Sequence, residues 1–163
     1  MQPLKLVALD TEDLAILSAQ LQDAVMRLAD ISYQPKDRRF AMIVNRFDWP
    51  AALAQGQASR RSNERRRAAI RFEHVSKVLR QNISQAAPDT VLALLAMTFE
   101  PAAQPPSGTI TLVFAAGAAI KLEVDYIEAE LRDLGAAWTA ATRPDHENDV
   151  QKPRGGALPP KAS

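Results

Sequence analysis

The sequence predicts a single α+β domain, an antiparallel meander of about six strands covered by an N-terminal helix and a short C-terminal helix. Three observations support this prediction. Apolar residues recur every three to four positions near the N-terminus, several later segments alternate apolar and polar residues, and turn-forming residues separate those segments at short intervals. A pleckstrin-homology-like fold or a small β-barrel is the alternative, because both combine such strands with one packing helix.

The N-terminal helix is predicted to begin after a short β-type run at residues 4–9. Asp10 or Thr11 can cap free backbone N–H groups, and Glu12 and Asp13 would lie at the positive end of the helix dipole. One apolar face follows at three- and four-residue spacing, at least to Gln22. It is formed by Leu14, Leu17, Leu21, Val25 and Leu28. We expect Leu17 and Leu21 to lie in the core.

Strands are predicted from the period-two pattern that follows. Residues 29–33 and 38–49 form a hairpin around a turn at residues 34–37, and residues 50–64 are predicted to be a loop. Further strands are predicted at residues 68–73, 109–114 and 120–126, and at residues 90–99, which look apolar enough to be buried on both faces. Residues 75–83 fit either a strand or a helix.

The last ordered element is predicted to be a short helix. Ile127, Leu131 and Leu134 have helical spacing, and Gly135 is a typical residue after a helix. From Arg143 onward almost nothing is apolar. The expected domain organisation is therefore one globular domain at residues 1–142 and a disordered tail at residues 143–163, which we expect to be dispensable for folding.

Composition excludes several chemistries. The chain has no cysteine, which removes disulfides, zinc–thiolate sites and thiol nucleophiles and fits a reducing cytosol. Residues 101–120 lack charge, but proline and glycine interrupt them, so no membrane segment or membrane partner is expected, and neither is a signal peptide. The predicted location is the cytoplasm.

Charge is unevenly distributed although the formal net charge is only +1. Residues 60–80 carry eight Arg or Lys against two Glu, a net of +6, whereas residues 10–30 carry five acids against one Arg, a net of −4. The candidate anion or nucleic-acid contacts are Arg60, Arg61, Arg65, Arg66, Arg67 and Arg71. Several phosphate contacts would make binding steeply salt-dependent. The competing interpretation is a solvated loop.

A second candidate is the strand end at residues 45–49. Arg46, Phe47 and Trp49 form a possible protein interface, because Trp and Arg are enriched at interface hot spots. The competing interpretation is that Phe47 and Trp49 close the core while Arg46 pairs with Asp48 in solvent.

No catalytic, cofactor-binding or metal-binding residue is predicted. Glu123, Asp125 and Glu128 invite a metal or acid–base interpretation, but Glu123 and Asp125 share a strand face with Lys121 and have no nearby His or third convergent ligand, so we predict a solvated sheet face. His74 continues a predicted core face, and His146 falls in the predicted tail. Nucleophile-elbow, phosphate-loop and zinc-helix motifs are absent from the sequence.

Several segments together resemble the bacterial domain-of-unknown-function family numbered 2948, over roughly residues 4–146. They are residues 6–14 (LVALDTEDL), 22–25 (QDAV), 38–40 (RRF), 45–49 (NRFDW), 120–128 (IKLEVDYIE) and 131–134 (LRDL). The resemblance implies one intact domain in a bacterial cytosol. It implies no activity, cofactor or catalytic residue.

The function expected from the sequence is a non-catalytic protein-interaction or adaptor domain. The first alternative is a nucleic-acid-associated binding module that uses the arginines at 60–71. The second is an enzyme with a small-molecule pocket, which the sequence favours least.

Overall fold

The computed structural model of the chain describes residues 3–47, 64–84, 87–135 and 138–139, with Glu64, Trp138 and Thr139 described by their backbone alone. Within these residues the chain forms one α-helix and an 11-stranded sheet whose strand pairs are antiparallel. No helix in this part of the chain is long and apolar enough to cross a membrane. The predicted loop at 50–64 (apart from Glu64), Trp49, Arg60, Arg61 and the predicted tail lie outside it.

The strands and the helix alternate along the chain only at the N-terminus. In chain order they are β1 (Lys5–Ala8), α1 (Thr11–Gln20), β2 (Val25–Arg27), β3 (Ile31–Gln34), β4 (Arg39–Phe47), β5 (Glu64–Phe72), β6 (Val75–Gln81), β7 (Val91–Pro101), β8 (Gly108–Phe114), β9 (Ala119–Val124), β10 (Ala129–Asp133) and β11 (Trp138–Thr139). Short 3₁₀ turns occur at Leu28–Asp30 and Ala115–Gly117.

The predicted α+β class is wrong, because the second helix does not exist and the sheet has far more than six strands. The segment predicted to be that helix forms β10, paired with β1 on one side and β5 on the other. Ala129, Leu131 and Asp133 are buried and alternate with Glu130 and Arg132, which is the period of a strand, whereas Leu134, which the helical spacing would bury, is 48% exposed. The backbone hydrogen bonds of this segment with β1 and β5 stabilise the strand, and the sequence pattern alone does not reveal these partners.

Helix α1 confirms the N-terminal prediction, although it ends at Gln20 rather than beyond Gln22. Asp10 is the N-cap, and its side chain accepts a hydrogen bond from the backbone N–H of Asp13 at 2.8 Å. Leu14, Leu17 and Leu21 are buried. The helix packs against β7, where the Met97 backbone N–H donates to the Ser18 hydroxyl at 2.9 Å.

The strand predictions hold best where one face is buried. The hairpin of β3 and β4 confirms the predicted alternation over residues 31–34 and 39–47, and the undecided segment at 75–83 contains strand β6. Two predictions are wrong. Strand β5 begins at Glu64 rather than at Ala68, so Arg65, Arg66 and Arg67 already belong to the strand, and β7 is buried on one face only, since Val91 and Leu95 are exposed.

Two strand paths bend and thereby divide the sheet into two halves. Glu73 and His74 separate β5 from β6, and residues 125–128 separate β9 from β10, while β5 pairs with β10 and β6 with β9. The first half has the order β1-β10-β5-β4, and the second has the order β7-β8-β9-β6. Strand β2 pairs with both β4 and β7 and joins the halves.

One hydrophobic core lies between the halves. Phe40, Phe72 and Phe114 are its largest buried side chains, and α1 adds its leucines. The inward residues of β4 and β5 lie in register, with Phe40 opposite Phe72 and Met42 opposite Ile70. The opposite faces of these strands are left outside the core.

Removing a core leucine of α1 is expected to destabilise the domain. Leu17→Ala or Leu21→Ala should each lower the free energy of unfolding by about 2–5 kcal/mol, because each leaves a cavity. Gln20→Ala should change it by less than about 0.5 kcal/mol. Urea unfolding of the three variants checks this, and equal losses at all three positions would show that α1 presents another face to the core.

Candidate binding surface

The arginines of β5 divide between the two faces of the sheet. Arg65, Arg67 and Arg71 alternate with Arg66 and with the buried residues Ala68, Ile70 and Phe72. Since side chains alternate along a strand, the first three lie on the outer face and Arg66 lies on the inner face. Arg60 and Arg61, the other members of the predicted anion-binding run, lie outside the described residues.

Neighbouring strands add further charged residues to this outer face. Arg132 of β10 lies opposite Ala69 and opposite Lys5 of β1, and Glu130 lies opposite Arg71. Arg39 of β4 lies on the same face because Phe40 and Met42 point to the core. We call this surface the arginine face and define it by Lys5, Arg39, Arg67, Glu73, Arg71, Glu128, Glu130 and Arg132.

Ion pairs hold the cations of the arginine face over two glutamates. Glu130 pairs with Arg71, with Arg132 at 3.3 Å and with Lys5 at 3.6 Å. Glu73 pairs with Arg39 at 3.0 Å and with Arg71 at 3.4 Å. The four cationic side chains are 41–60% exposed, whereas those of Glu130 and Glu73 are 11% and 16% exposed. A partner approaching this face therefore meets these four cations with Glu73 and Glu130 beneath them, whereas the third carboxylate of the face, Glu128, is 43% exposed and contacts His74.

The guanidinium groups on this face keep hydrogen-bonding capacity toward solvent. A guanidinium carries five N–H donors. Arg71 directs its Nε toward Glu73 and one terminal nitrogen toward Glu130, and Arg132 directs one terminal nitrogen toward Glu130. Arg67 is exposed. Between Lys5, Arg71 and the glutamates lies a shallow depression of about 130 Å³. The arginines of this face can thus donate hydrogen bonds to carboxylate or phosphate oxygens, which a guanidinium group binds in bidentate fashion.

Glu130 is held ionised by its neighbours. Burial of its carboxyl group opposes ionisation, but the hydrogen bond from Arg132 and the charges of Arg71, Arg132 and Lys5 outweigh burial, so the pKa of Glu130 lies below its ordinary value. The cations are in turn positioned by this carboxylate.

A second group of charges is buried on the inner side of the same strands. Arg46 forms two parallel hydrogen bonds of 2.9 Å with Asp133, whose side chain is 0% exposed. The Asp133 carboxylate also accepts the Leu4 backbone N–H at 2.7 Å, and Arg66 lies 3.9 Å from it. Arg46 was a predicted interface residue and Arg66 a predicted anion contact. The structure buries both, because they lie on the core side of β4 and β5.

Phe47 and Arg65 lie at the end of the outer face. Phe47 is buried, and the Arg65 guanidinium carbon lies 5.4 Å from its ring centroid, within cation–π range. Burial lowers the pKa of Arg65, and the charge of Asp23 opposes this effect. Phe47 therefore supports an arginine, while Trp49, the third predicted interface residue, lies outside the described residues.

His74, Asp125 and Glu128 lie at the bend between the two halves, whereas Glu123 lies in β9. The His74 Nε2 lies 2.7 Å from a Glu128 carboxylate oxygen, and its ring packs 4.1 Å from that of Tyr126. Asp125 pairs with Arg38 at 2.9 Å, while Glu123 lies opposite Lys77. The described residues contain no group of three or more His, Cys, Asp or Glu that could hold a metal ion.

The sequence prediction missed Lys5, Arg39 and Arg132 as members of a charged surface. The alternation of Ala129, Leu131 and Asp133 with Glu130 and Arg132 was the available signal. The helix prediction obscures this alternation, because only a strand between β1 and β5 brings Arg132 opposite Lys5 and opposite Ala69, two residues from Arg67 on the same face of β5.

The described residues form a domain that consists mostly of antiparallel β-sheet, with one α-helix and a cation-rich outer sheet face. The chain belongs to the family described as protein of unknown function (DUF2948), whose model matches residues 4–146. Searches of curated proteins and of solved structures found no match.

Acid is expected to remove the contribution of Glu130 to stability. A carboxyl group with a depressed pKa in the folded state stabilises the fold above its unfolded-state pKa of about 4.3, and this contribution is lost as the pH falls through the folded-state value. The difference in unfolding free energy between wild type and Glu130→Gln should therefore be largest near pH 7 and shrink at about pH 3. Exposed Glu100→Gln is the matched control, and a pH-independent difference for Glu130→Gln would contradict the assignment.

Breaking the buried ion pair is expected to be far more costly than breaking an exposed one. Asp133→Asn should lower the free energy of unfolding by about 3–5 kcal/mol, because it leaves buried arginine charge uncompensated. Asp125→Asn removes the same charge from the exposed pair with Arg38 and should cost no more than about 1 kcal/mol. Similar urea midpoints for the two variants would refute this difference.

Proposed function

We propose that this domain is a non-catalytic protein-interaction module of the bacterial cytosol, and that it binds an acidic partner through the arginine face. The observation that carries the proposal is the layering of charge on that face. The cationic groups lie outside and the carboxylates that position them lie beneath. Such a surface is complementary to carboxylates on a partner.

The energetics support binding by this face. Charge-assisted hydrogen bonds between arginine and carboxylate are about twice as strong as neutral ones. Binding normally costs about 0.5–1.5 kcal/mol for each long side chain that becomes ordered. Because Arg71 and Arg132 already contact Glu130, part of this ordering cost falls on folding rather than on binding.

The composition of the face favours an acidic protein over a nucleic acid. Its five cations and three carboxylates leave a net charge of only +2, and the eight residues that define it include no aromatic side chain for base stacking. The exposure of Arg67 and the position of Arg65 at the end of β5 are the features that favour nucleic acid as the second candidate. That partner would show a log–log salt slope of about −0.7 to −0.9 per phosphate contacted.

The test is binding of a labelled peptide of alternating Glu and Thr, compared with oligo-dT of equal charge, at about 50 mM salt, where surface electrostatics are weakly screened. Fluorescence anisotropy reports both. Wild type should bind the peptide, and Arg67→Ser/Arg132→Ser should weaken peptide binding on the order of tenfold, the equivalent of about 1.4 kcal/mol.

The second half of the sheet offers a matched control. In the first half, Arg132 lies opposite Ala69, and Arg67 is two residues from Ala69 along β5. In the second half, Lys121 lies opposite Leu79, and Lys77 is two residues from Leu79 along β6, so the two pairs of cations have the same relative positions. Lys77→Ser/Lys121→Ser removes the same charge and should leave peptide binding unchanged. Equal effects of the two double variants, or an arginine-dependent affinity for oligo-dT that exceeds that for the peptide, would overturn the proposal.

A further inference from the structure

The sequence beyond the last described residue contains an acidic ligand of the kind that the arginine face fits. Asp145, Glu147 and Asp149 alternate with His146 and Asn148, so carboxylates recur every second residue. In an extended chain, residues two apart lie about 6.6–7 Å from each other on the same side. Bound in an extended form, this segment would present its carboxylates at the repeat of a strand.

The cations of the arginine face follow that repeat along β5. Three successive outward positions of β5 are occupied by Arg67, Ala69 and Arg71. Arg132 of β10 lies beside the middle position, opposite Ala69. Three carboxylates at two-residue spacing can thus be matched one by one with Arg67, Arg132 and Arg71. Lys5 lies beside Arg132 and within the same row.

The last described residue, Thr139, lies close enough to the arginine face for residues 145–149 to reach it. Thr139 of β11 lies opposite Glu64 of β5. Arg67 is three residues along β5 from that point, about 10 Å away, and six residues from Thr139 to Asp145 span up to about 20 Å. Because β11 runs antiparallel to β5, the connecting residues must reverse direction, and the difference between these two lengths leaves room for that turn.

We propose that residues 145–149 bind the arginine face in cis and compete there with the acidic partner. The regulatory consequence rests on the proposed function, whereas the intramolecular contact itself does not. A short tether raises the effective concentration of a segment to the order of millimolar. Even a weakly binding acidic segment would then occupy the face and lower its apparent affinity for a partner.

Carbodiimide cross-linking of the full chain tests the contact directly. This reagent joins an amine to a carboxylate that touches it, and mass spectrometry locates the bond. We expect a link between Lys5 and Asp145, Glu147 or Asp149, and no link from Lys77 to these residues. Links to both lysines in equal yield, or to neither, overturn the proposal, and a link between different molecules overturns it in favour of self-association.

Neutralising the segment in the full chain tests the competition. Asp145→Asn/Glu147→Gln/Asp149→Asn should increase the affinity for the alternating Glu–Thr peptide about three- to tenfold, since the competitor at the effective concentration estimated above is removed. The control, Glu12→Gln/Asp89→Asn/Glu100→Gln, changes net charge equally at exposed sites on other parts of the domain and should give less than half that gain. In the Arg67→Ser/Arg132→Ser background the gain should disappear, as a double-mutant cycle requires.

The outcomes separate the two proposals. Equal gains in the segment variant and its control, or a gain that persists without Arg67 and Arg132, overturn the intramolecular competition while leaving the proposed function in place. A Lys5 cross-link in the wild-type chain, together with no peptide binding even by Asp145→Asn/Glu147→Gln/Asp149→Asn, supports the intramolecular contact and overturns the proposed function.

Discussion

The buried ion pair of Arg46 and Asp133 is the interaction on which the geometry of the arginine face depends. It joins the end of β4 to the end of β10, and the same carboxylate holds the backbone of Leu4 at the start of β1. Burying such a pair carries a large desolvation cost, so its value lies less in stability than in specifying one arrangement. We infer that it specifies the register that places Arg132 beside Lys5.

The core and the arginine face are two sides of the same strands. Along β5, Ala68, Ile70 and Phe72 fill the core while Arg67 and Arg71 point outward. A register slip of one residue would exchange these sets and bury the arginines beside the phenylalanines. The hydrophobic core therefore enforces the position of every cation on the outer face.

Layered charge gives the arginine face particular physical properties. Exposed ion pairs contribute little to stability on their own, because solvent and salt screen them. Their contribution here is to hold cations in place over Glu73 and Glu130, which suits rapid, electrostatically steered association more than tight binding. A competing acidic segment on the same chain would adjust such an affinity without any change in the fold.

Elements with local sequence signals are predicted correctly from the sequence. The Asp10 cap and the leucine spacing define α1, and alternation defines the β3–β4 hairpin and β9. The tertiary structure makes residues 129–133 a strand, because only their pairing with both β1 and β5 overrides the helix that the spacing of Ile127, Leu131 and Leu134 predicts. It also decided which arginines are exposed. Arg66 and Arg67 are adjacent in the chain, and the direction in which β5 faces the core buries the first and exposes the second.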